Sequence, residues 1–490
     1  MTATGALEPG RRRPELDAGH WRSRLATLAT RHAVPGATLG ILRLATSATT
    51  EVERPSSEQI VIAHHGLLST RTGVEVTDDS LFQIGSVTKV WTATMAMQLV
   101  DEGVLDLDAS ITQVLPELRL RDADAAKTLT MRHLLSHTSG IDGDVFADTG
   151  RGDDCVERYV AALEQTRLNT PVGELFSYCN TAFVIAGRVV EKLTGMSWDQ
   201  ALRERLVEPL GLGHTVTLPE EVILHRAAVG HLPARALGGL PPSANPSFVP
   251  TPVWMLPRCL GPAGLISTTA ADLLAFARMH LQDGVTDRGA RVLSSSAVSQ
   301  MAACEVELPN RSGLEDSWGL GWARMGWGGH RLIGHDGDTI GQQAFLILLP
   351  SQGLAACLLT NGGHSQDLHQ DLFAEILASL ANVEMPPPLT PLAGAPQTDY
   401  APLLGRYERD GVHLEVAEIG GALVLRHTIV GPLAALADVT PEEFAMQPCG
   451  GSVFAVREAG AQTWTPVLFS RLSTGKQILY FRSRATPKVN

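Results

Sequence analysis

At 490 residues, 44% hydrophobic and 19% charged, the chain is long enough for two or three folding units and apolar enough to bury a large core, which excludes a disordered protein. A net charge of -13 excludes non-specific binding to a phosphate backbone over most of the surface, so no nucleic-acid partner is expected. No run approaches 18 consecutive apolar residues, and Arg11, Arg12 and Arg13 have no apolar stretch behind them; neither a membrane span nor a secretory signal is read, and a cytoplasmic protein is expected.

Residues 1–20 read as a flexible N-terminus, 21–33 as an amphipathic helix, and "ATLGILRL" and "EQIVIAHHG" as the first two strands of a sheet. The stretch "LFQIGSVTKVWTATMAMQLVDEG" then opens a helix on small polar residues and continues almost wholly apolar, with one cation, Lys89, in its first turn. Further helical runs follow: "MRHLLSH", "DDCVERYVAALEQ", "TAFVIAGRVVEKLTG", "WDQALRERLVEPLG" and "TTAADLLAFARMHLQDG", the last with Thr269 placed as its cap and Gly284 just past its end. From Trp318 short apolar runs punctuated by glycine predict an antiparallel meander, closed by the helix "DLHQDLFAEILASL". Strands at both ends with helices between predict an α+β unit over 21–384, one antiparallel sheet built from distant segments and flanked by a helical subdomain. The proline-rich stretch 385–399 reads as a linker, and about eight alternating runs over 400–490 as a small all-β barrel or sandwich.

Three short motifs carry chemistry. Ser86-Val-Thr-Lys89 puts a hydroxyl at a helix start and an amine one turn later on the same face. An amine in an apolar pocket loses its proton easily enough to take one from the serine, and the helix N-terminus offers N–H groups to an oxyanion. A second match, Ser473-Thr-Gly-Lys476, reads as a hairpin turn with solvated side chains. Tyr178-Cys-Asn180 precedes a helix; it is either a proton-shuttling tyrosine with an asparagine that holds a substrate carbonyl, or a packed tyrosine beside an N-cap asparagine. His335-Asp-Gly337 lies between two late strands and is expected on an edge strand, with His64-His65-Gly66 as its decoy. Six cysteines without C-x-x-C spacing read as reduced thiols, and no metal or cofactor is expected.

In this order the three motifs, with "LLSHTSGI", "EPLGLGHT" and "GPAGLISTTAADL", resemble the serine β-lactamase and penicillin-binding-protein superfamily, in the branch of class C β-lactamases, D-aminopeptidases and related esterases. The resemblance covers roughly 20–380 and implies a β-lactamase/DD-peptidase-like fold, with a lipocalin-like barrel after it. It implies Ser86 as the acylated nucleophile, Lys89 and Tyr178 as its proton-transfer partners, and Asn180, His335, Gly337 and Asp338 in substrate binding, with the Ser86 and Asp338 N–H groups as the oxyanion hole. His-Asp-Gly-Asp in place of Lys-Thr-Gly favours an uncharged or cationic substrate. The expected function is a serine hydrolase or acyltransferase on a small-molecule or peptide ester, amide or thioester. Alternatives are a stand-alone penicillin-binding-protein-type thioesterase that takes a peptide from a carrier protein and cyclises it, and a non-catalytic sensor of the same fold.

Overall fold

The computed structural model describes residues 16–45, 57–234, 248–309, 314–392, 400–431, 434 and 441–489. Most of the expected flexible N-terminus and residues 393–399 of the expected linker lie outside the described residues; 382–392 run without helix or strand.

Helix α1 (Ala18–Arg31) starts three residues before the sequence expectation because Asp17 caps it, accepting from the Gly19 and His20 N–H groups at 2.8 and 3.2 Å. The main sheet holds β1 (Gly36–Arg43), β2 (Gln59–Gly66), β3 (Val306–Glu307), β4 (Ser317–Trp318), β5 (Ala323–Trp327), β6 (His330–Asp338), β7 (Gln343–Leu349) and β8 (Leu354–Thr360). Their spatial order is β2-β1-β8-β7-β6-β5-β4-β3, with antiparallel neighbours throughout, so the chain's early and late strands meet where Ala37 faces Thr360.

The strands β1, β7 and β8 read as unbroken apolar runs because both faces are covered. Along β7, Phe345 and Ile347 face one core with Trp21 and Leu25 of α1, while Leu346 and Leu348 face the other, as a period of two requires. On that second side lie α2 (Thr88–Asp101), α3 (Asn180–Thr194) and α4 (Ala270–Leu281). Every residue of α2 from Thr88 to Leu99 is buried, which is why its sequence shows no polar face. Thr269 caps α4 as expected, its hydroxyl accepting from the Asp272 N–H at 3.2 Å. Helix α5 (Ser365–Ile376) packs with α1 on the first side.

Among its described residues the C-terminal part holds nine strands, against the about eight expected: β9 (Gly405–Arg409), β10 (Val412–Ile419), β11 (Ala422–Ile429), β12 (Glu442–Ala445), β13 (Gln447–Gly450), β14 (Val453–Val456), β15 (Thr465–Arg471), β16 (Gln477–Phe481) and β17 (Arg484–Val489). Their order, β12-β11-β10-β9-β17-β16-β15-β14-β13, joins the first strand to the last and leaves β12 and β13, adjacent in sequence, as the two edges. The sheet therefore curls into a nearly closed barrel around Tyr407, Leu425, Phe444, Phe469 and Leu479. Outward-facing Leu468, Leu472, Ile478 and Tyr480 pack on Phe176 and Trp318, which seats the barrel beside the sheet's open end.

The second Ser-x-x-Lys match is the β15–β16 turn, where the exposed Ser473 donates to the Glu174 carboxylate at 2.8 Å. All six cysteines are free thiols; Cys155, Cys179, Cys259 and Cys357 are buried, Cys304 is exposed and Cys449 lies between. Among the described residues no helix is long and apolar enough to cross a membrane.

Candidate active site

Ser86 sits in a tight turn, Gly85–Val87, that runs straight into α2. Gly85 has φ +50, and a Cβ there would lie 2.6 Å from the Asp338 nitrogen, so only glycine fits. One turn on, Lys89 is fully buried, with Nζ 2.8 Å from Ser86 Oγ and donating to the Ala263 carbonyl at 2.6 Å. Burial, and then the nearby Arg484 charge, push its pKa well below the usual lysine value, against the opposing pull of Asp144 and Cys179. The shift favours the neutral amine, whose lone pair can take the Ser86 proton.

Tyr178 faces the same pair: Lys89 Nζ lies 4.9 Å from the centre of its ring. Its hydroxyl is buried without a hydrogen bond of ordinary geometry, though Ser86 is near enough to pull its pKa down against a larger upward push from burial. The phenol is neutral and free to carry a proton. Asn180 is the first residue of α3 rather than its cap; Cys179 takes that role, with its sulfur accepting from the Ala182 N–H at 3.2 Å. The Asn180 Nδ2 donates to Asp144 Oδ1 at 3.0 Å, which fixes the orientation of the amide, because a carboxylate only accepts.

The sequence reading placed His335-Asp-Gly337 on an edge strand. Strand β6 is interior, but its pairing with β5 stops at Gly334 opposite Ala323, so His335–Asp338 present a free edge on that side. A Cβ at Gly337 would lie 1.8 Å from the Ile84 carbonyl oxygen and 3.0 Å from the Ser86 nitrogen. The glycines at 85 and 337 thus let the backbones of Ser86 and Asp338 converge, as an oxyanion site requires. His335 is buried, its Nδ1 donating to the Asp336 carbonyl at 2.6 Å and its Nε2 left without a partner among the described residues; burial drives its pKa down to about 3. It is a neutral acceptor and supplies no cation.

A cavity of about 530 Å³ joins these groups, lined by Ser86, Tyr178, Asn180, His335, Gly337 and Asp338, with Lys89 directly behind Ser86. His64 of the decoy pair bonds instead to Asp78 at 2.8 Å in an exposed position.

Sequence reasoning missed what the barrel adds. The β16–β17 turn, with Arg482 and Ser483 both left-handed at φ +48 and +63, enters the cleft and lines the cavity. Arg484 lies 5.1 Å from the centre of the Tyr178 ring and grips Asp144 through Nε at 2.7 Å and Nη2 at 3.1 Å, while Arg409 pairs with the same carboxylate. Asp144 is thereby held below the usual carboxylate range despite its burial. The only sequence signal for this was the polar turn "RSR" between two strands, which says nothing of where the turn lands.

Asp144→Ala is expected to destabilise the chain by about 3 to 5 kcal/mol, because it removes the buried carboxylate that pairs the buried Arg409 and the half-buried Arg484. The urea midpoint checks this, and an unchanged midpoint would show that water or another acceptor reaches both arginines.

A helix-start serine with a buried neutral lysine, a tyrosine across from them and a glycine-bearing strand edge, all on this sheet and helical subdomain, define the penicillin-recognising class of folds. A family model described as Beta-lactamase matches residues 23–380, and the chain belongs to that family, one of hydrolases. It is 46% identical over 401 residues to "Penicillin-binding protein 4" of Amycolatopsis lactamdurans, covering 81% of this chain and 99% of that protein. The crystal structure of SurE with D-Leu aligns with a TM-score of 0.68 at 29% identity, over 96% of this chain and 99% of that one. A D-stereospecific amidohydrolase from Streptomyces sp. aligns at TM-score 0.55 and 25% identity, over 75% of this chain and 99% of its own.

Proposed function

We propose that the protein is a serine acyl-transfer enzyme that forms an ester between Ser86 and a peptidyl or aminoacyl group and passes that group to water or an amine. The observation that carries this is the 2.8 Å approach of a fully buried Lys89 to Ser86. A sensor that only bound a ligand would have no need to bury an amine against a hydroxyl. In the reaction Lys89 accepts the Ser86 proton as Oγ attacks the carbonyl carbon. The oxyanion is held by the Ser86 and Asp338 N–H groups, and the leaving group departs with a proton delivered through Tyr178. The acceptor then repeats the steps in reverse, losing its proton to the same pair.

The likeness to SurE over both parts of the chain, solved with D-Leu, supports a D-configured residue as the acyl group. The cavity wall supports an amine acceptor or a cationic substrate. Asp336 and Asp338 keep accessible surface because they face this space, yet protein surrounds them, so burial raises both pKa values, that of Asp338 to about 6. A second cavity of about 540 Å³ continues the first past the same two residues, along the side of the barrel. With Arg482–Arg484 roofing the site, a bound amine competes with water through its effective concentration. Thioester donors, and cyclisation of a donor carrying its own amine, are the form of this reaction that a carrier protein would feed.

The test is a partition experiment with an activated D-leucyl thioester and rising concentrations of a small primary amine. Amide is expected to displace acid as product, and D-leucyl donors to outrun L-leucyl ones. Acid alone at every amine concentration would leave a plain hydrolase. Penicillins and cephalosporins are expected to turn over about a hundredfold or more slowly than esters, since a neutral His335 and two carboxylates face the position of their carboxylate, and like charges brought together cost several kcal/mol. Rapid hydrolysis of benzylpenicillin would overturn the substrate reading.

A further inference from the structure

The backbone around Tyr178 is held in an unusual way. Three consecutive N–H groups of this non-helical segment each bond outside it: Ser177 to the His137 carbonyl at 2.9 Å, Tyr178 to the Ser483 carbonyl of the barrel turn at 2.9 Å, and Cys179 to His137 Nδ1 at 3.0 Å. His137 therefore supplies both flanking acceptors, one from its main chain and one from its ring. That ring also stacks on the tyrosine, with centroids 4.2 Å apart and planes 27° from parallel.

His137 can do both because its backbone is left-handed, at φ +59, a region where histidine and asparagine are tolerated better than most side chains. Its ring is completely buried among Phe176, Phe183 and Trp318. Since Nδ1 accepts from Cys179, the proton must sit on Nε2, which has no hydrogen-bond partner among the described residues. Burial, with the nearby Arg484 charge acting in the same direction, keeps the ring neutral, so Nδ1 stays an acceptor. An unpaired buried N–H is a cost, and it is offset only if the other nitrogen does something that matters.

We propose that His137 is the positioning residue for Tyr178: it holds the catalytic tyrosine by ring and backbone from within the helical subdomain, opposite the Ser483 carbonyl of the barrel. His137 touches neither Ser86 nor the cavity and acts only through the tyrosine. The inference rests on the reading of Tyr178 as the proton shuttle.

The test uses full-length protein and p-nitrophenyl acetate as the probe. His137→Phe keeps an aromatic ring and removes the acceptor; His137→Asn removes the ring but keeps a short acceptor and tolerance of the left-handed backbone. Misplacing a catalytic group by about 1 Å can cost on the order of a hundredfold. His137→Phe is accordingly expected to lower kcat by about that factor with KM within about threefold, and His137→Asn to recover at least about tenfold of it. In a Tyr178→Phe background, His137→Phe should cost little more, because the group it positions is already gone. Thermal melts keep the comparison to folded protein. Wild-type kcat in His137→Phe would overturn the proposal, as would an Asn variant no better than Phe, or equal losses with and without the Tyr178 hydroxyl. A fully active Tyr178→Phe enzyme would instead overturn the shuttle reading beneath it.

Discussion

Ser86→Ala is expected to lose about a millionfold in kcat on p-nitrophenyl esters, the scale on which serine hydrolases fall when the nucleophile is removed. Among the described residues no other serine shares its surroundings: a buried amine at 2.8 Å, two glycines that bring its backbone against a strand edge, and a cavity on the open side. Ser473, in the other Ser-x-x-Lys match, is exposed in a hairpin turn, where its hydroxyl donates to the Glu174 carboxylate and no buried amine lies beside it. Intact-protein mass spectrometry with a slow-deacylating ester should find one acyl group, and peptide mapping should place it on Ser86. Full turnover by Ser86→Ala, or an adduct on Ser473, would sink the assignment.

The sheet and the Ser86–Lys89 pair were legible because their signals are local. Ser86, Lys89 and the fully apolar helix behind them lie within 14 residues, and period-two alternation marks the barrel strands without help from tertiary contacts. Tyr178 and Asn180 were legible only as a spacing, and the spacing left two readings open; the structure removes the N-cap role from Asn180, because a cysteine sulfur, a rare choice, caps the helix instead. The placing of His335 on an edge strand missed because strand order is set by pairings across the whole chain, and β6 is both interior and, for four residues, unpaired on one side. The barrel's part in the cleft could not be read at all. Arg409, Ser483 and Arg484 reach Asp144 and Tyr178 across hundreds of residues, through a turn whose composition is that of any hairpin. The same applies to His137: its residue type is visible in "LLSHTSGI", but its hold on Ser177 and Cys179 exists only in three dimensions.

Lys89→Ala is expected to cost about a thousandfold in the acylation rate and Tyr178→Phe about a hundredfold or more, the range of general acid–base assistance, while the double variant should lose far less than the product of the two. The geometry requires this coupling: Lys89 Nζ touches Ser86 Oγ and lies 4.9 Å from the centre of the Tyr178 ring, so a proton taken by one is returned through the other. The pH profile carries the same signature. The working amine is neutral, and because burial places its pKa well below the usual lysine value, activity should be lost as pH falls through that lowered pKa and not in the ordinary lysine range. Protonation then occupies the lone pair that accepts the serine proton. Asp338, raised to about 6 in the same cleft, titrates on the same side and needs a control. In Asp338→Asn the acid limb should remain, since removing that carboxylate leaves Lys89 in place; if the limb vanishes, it belongs to Asp338 and the lysine is not the base. A double variant whose loss equals the product of the single losses would likewise show Lys89 and Tyr178 acting independently, and the shared proton path would have to be abandoned.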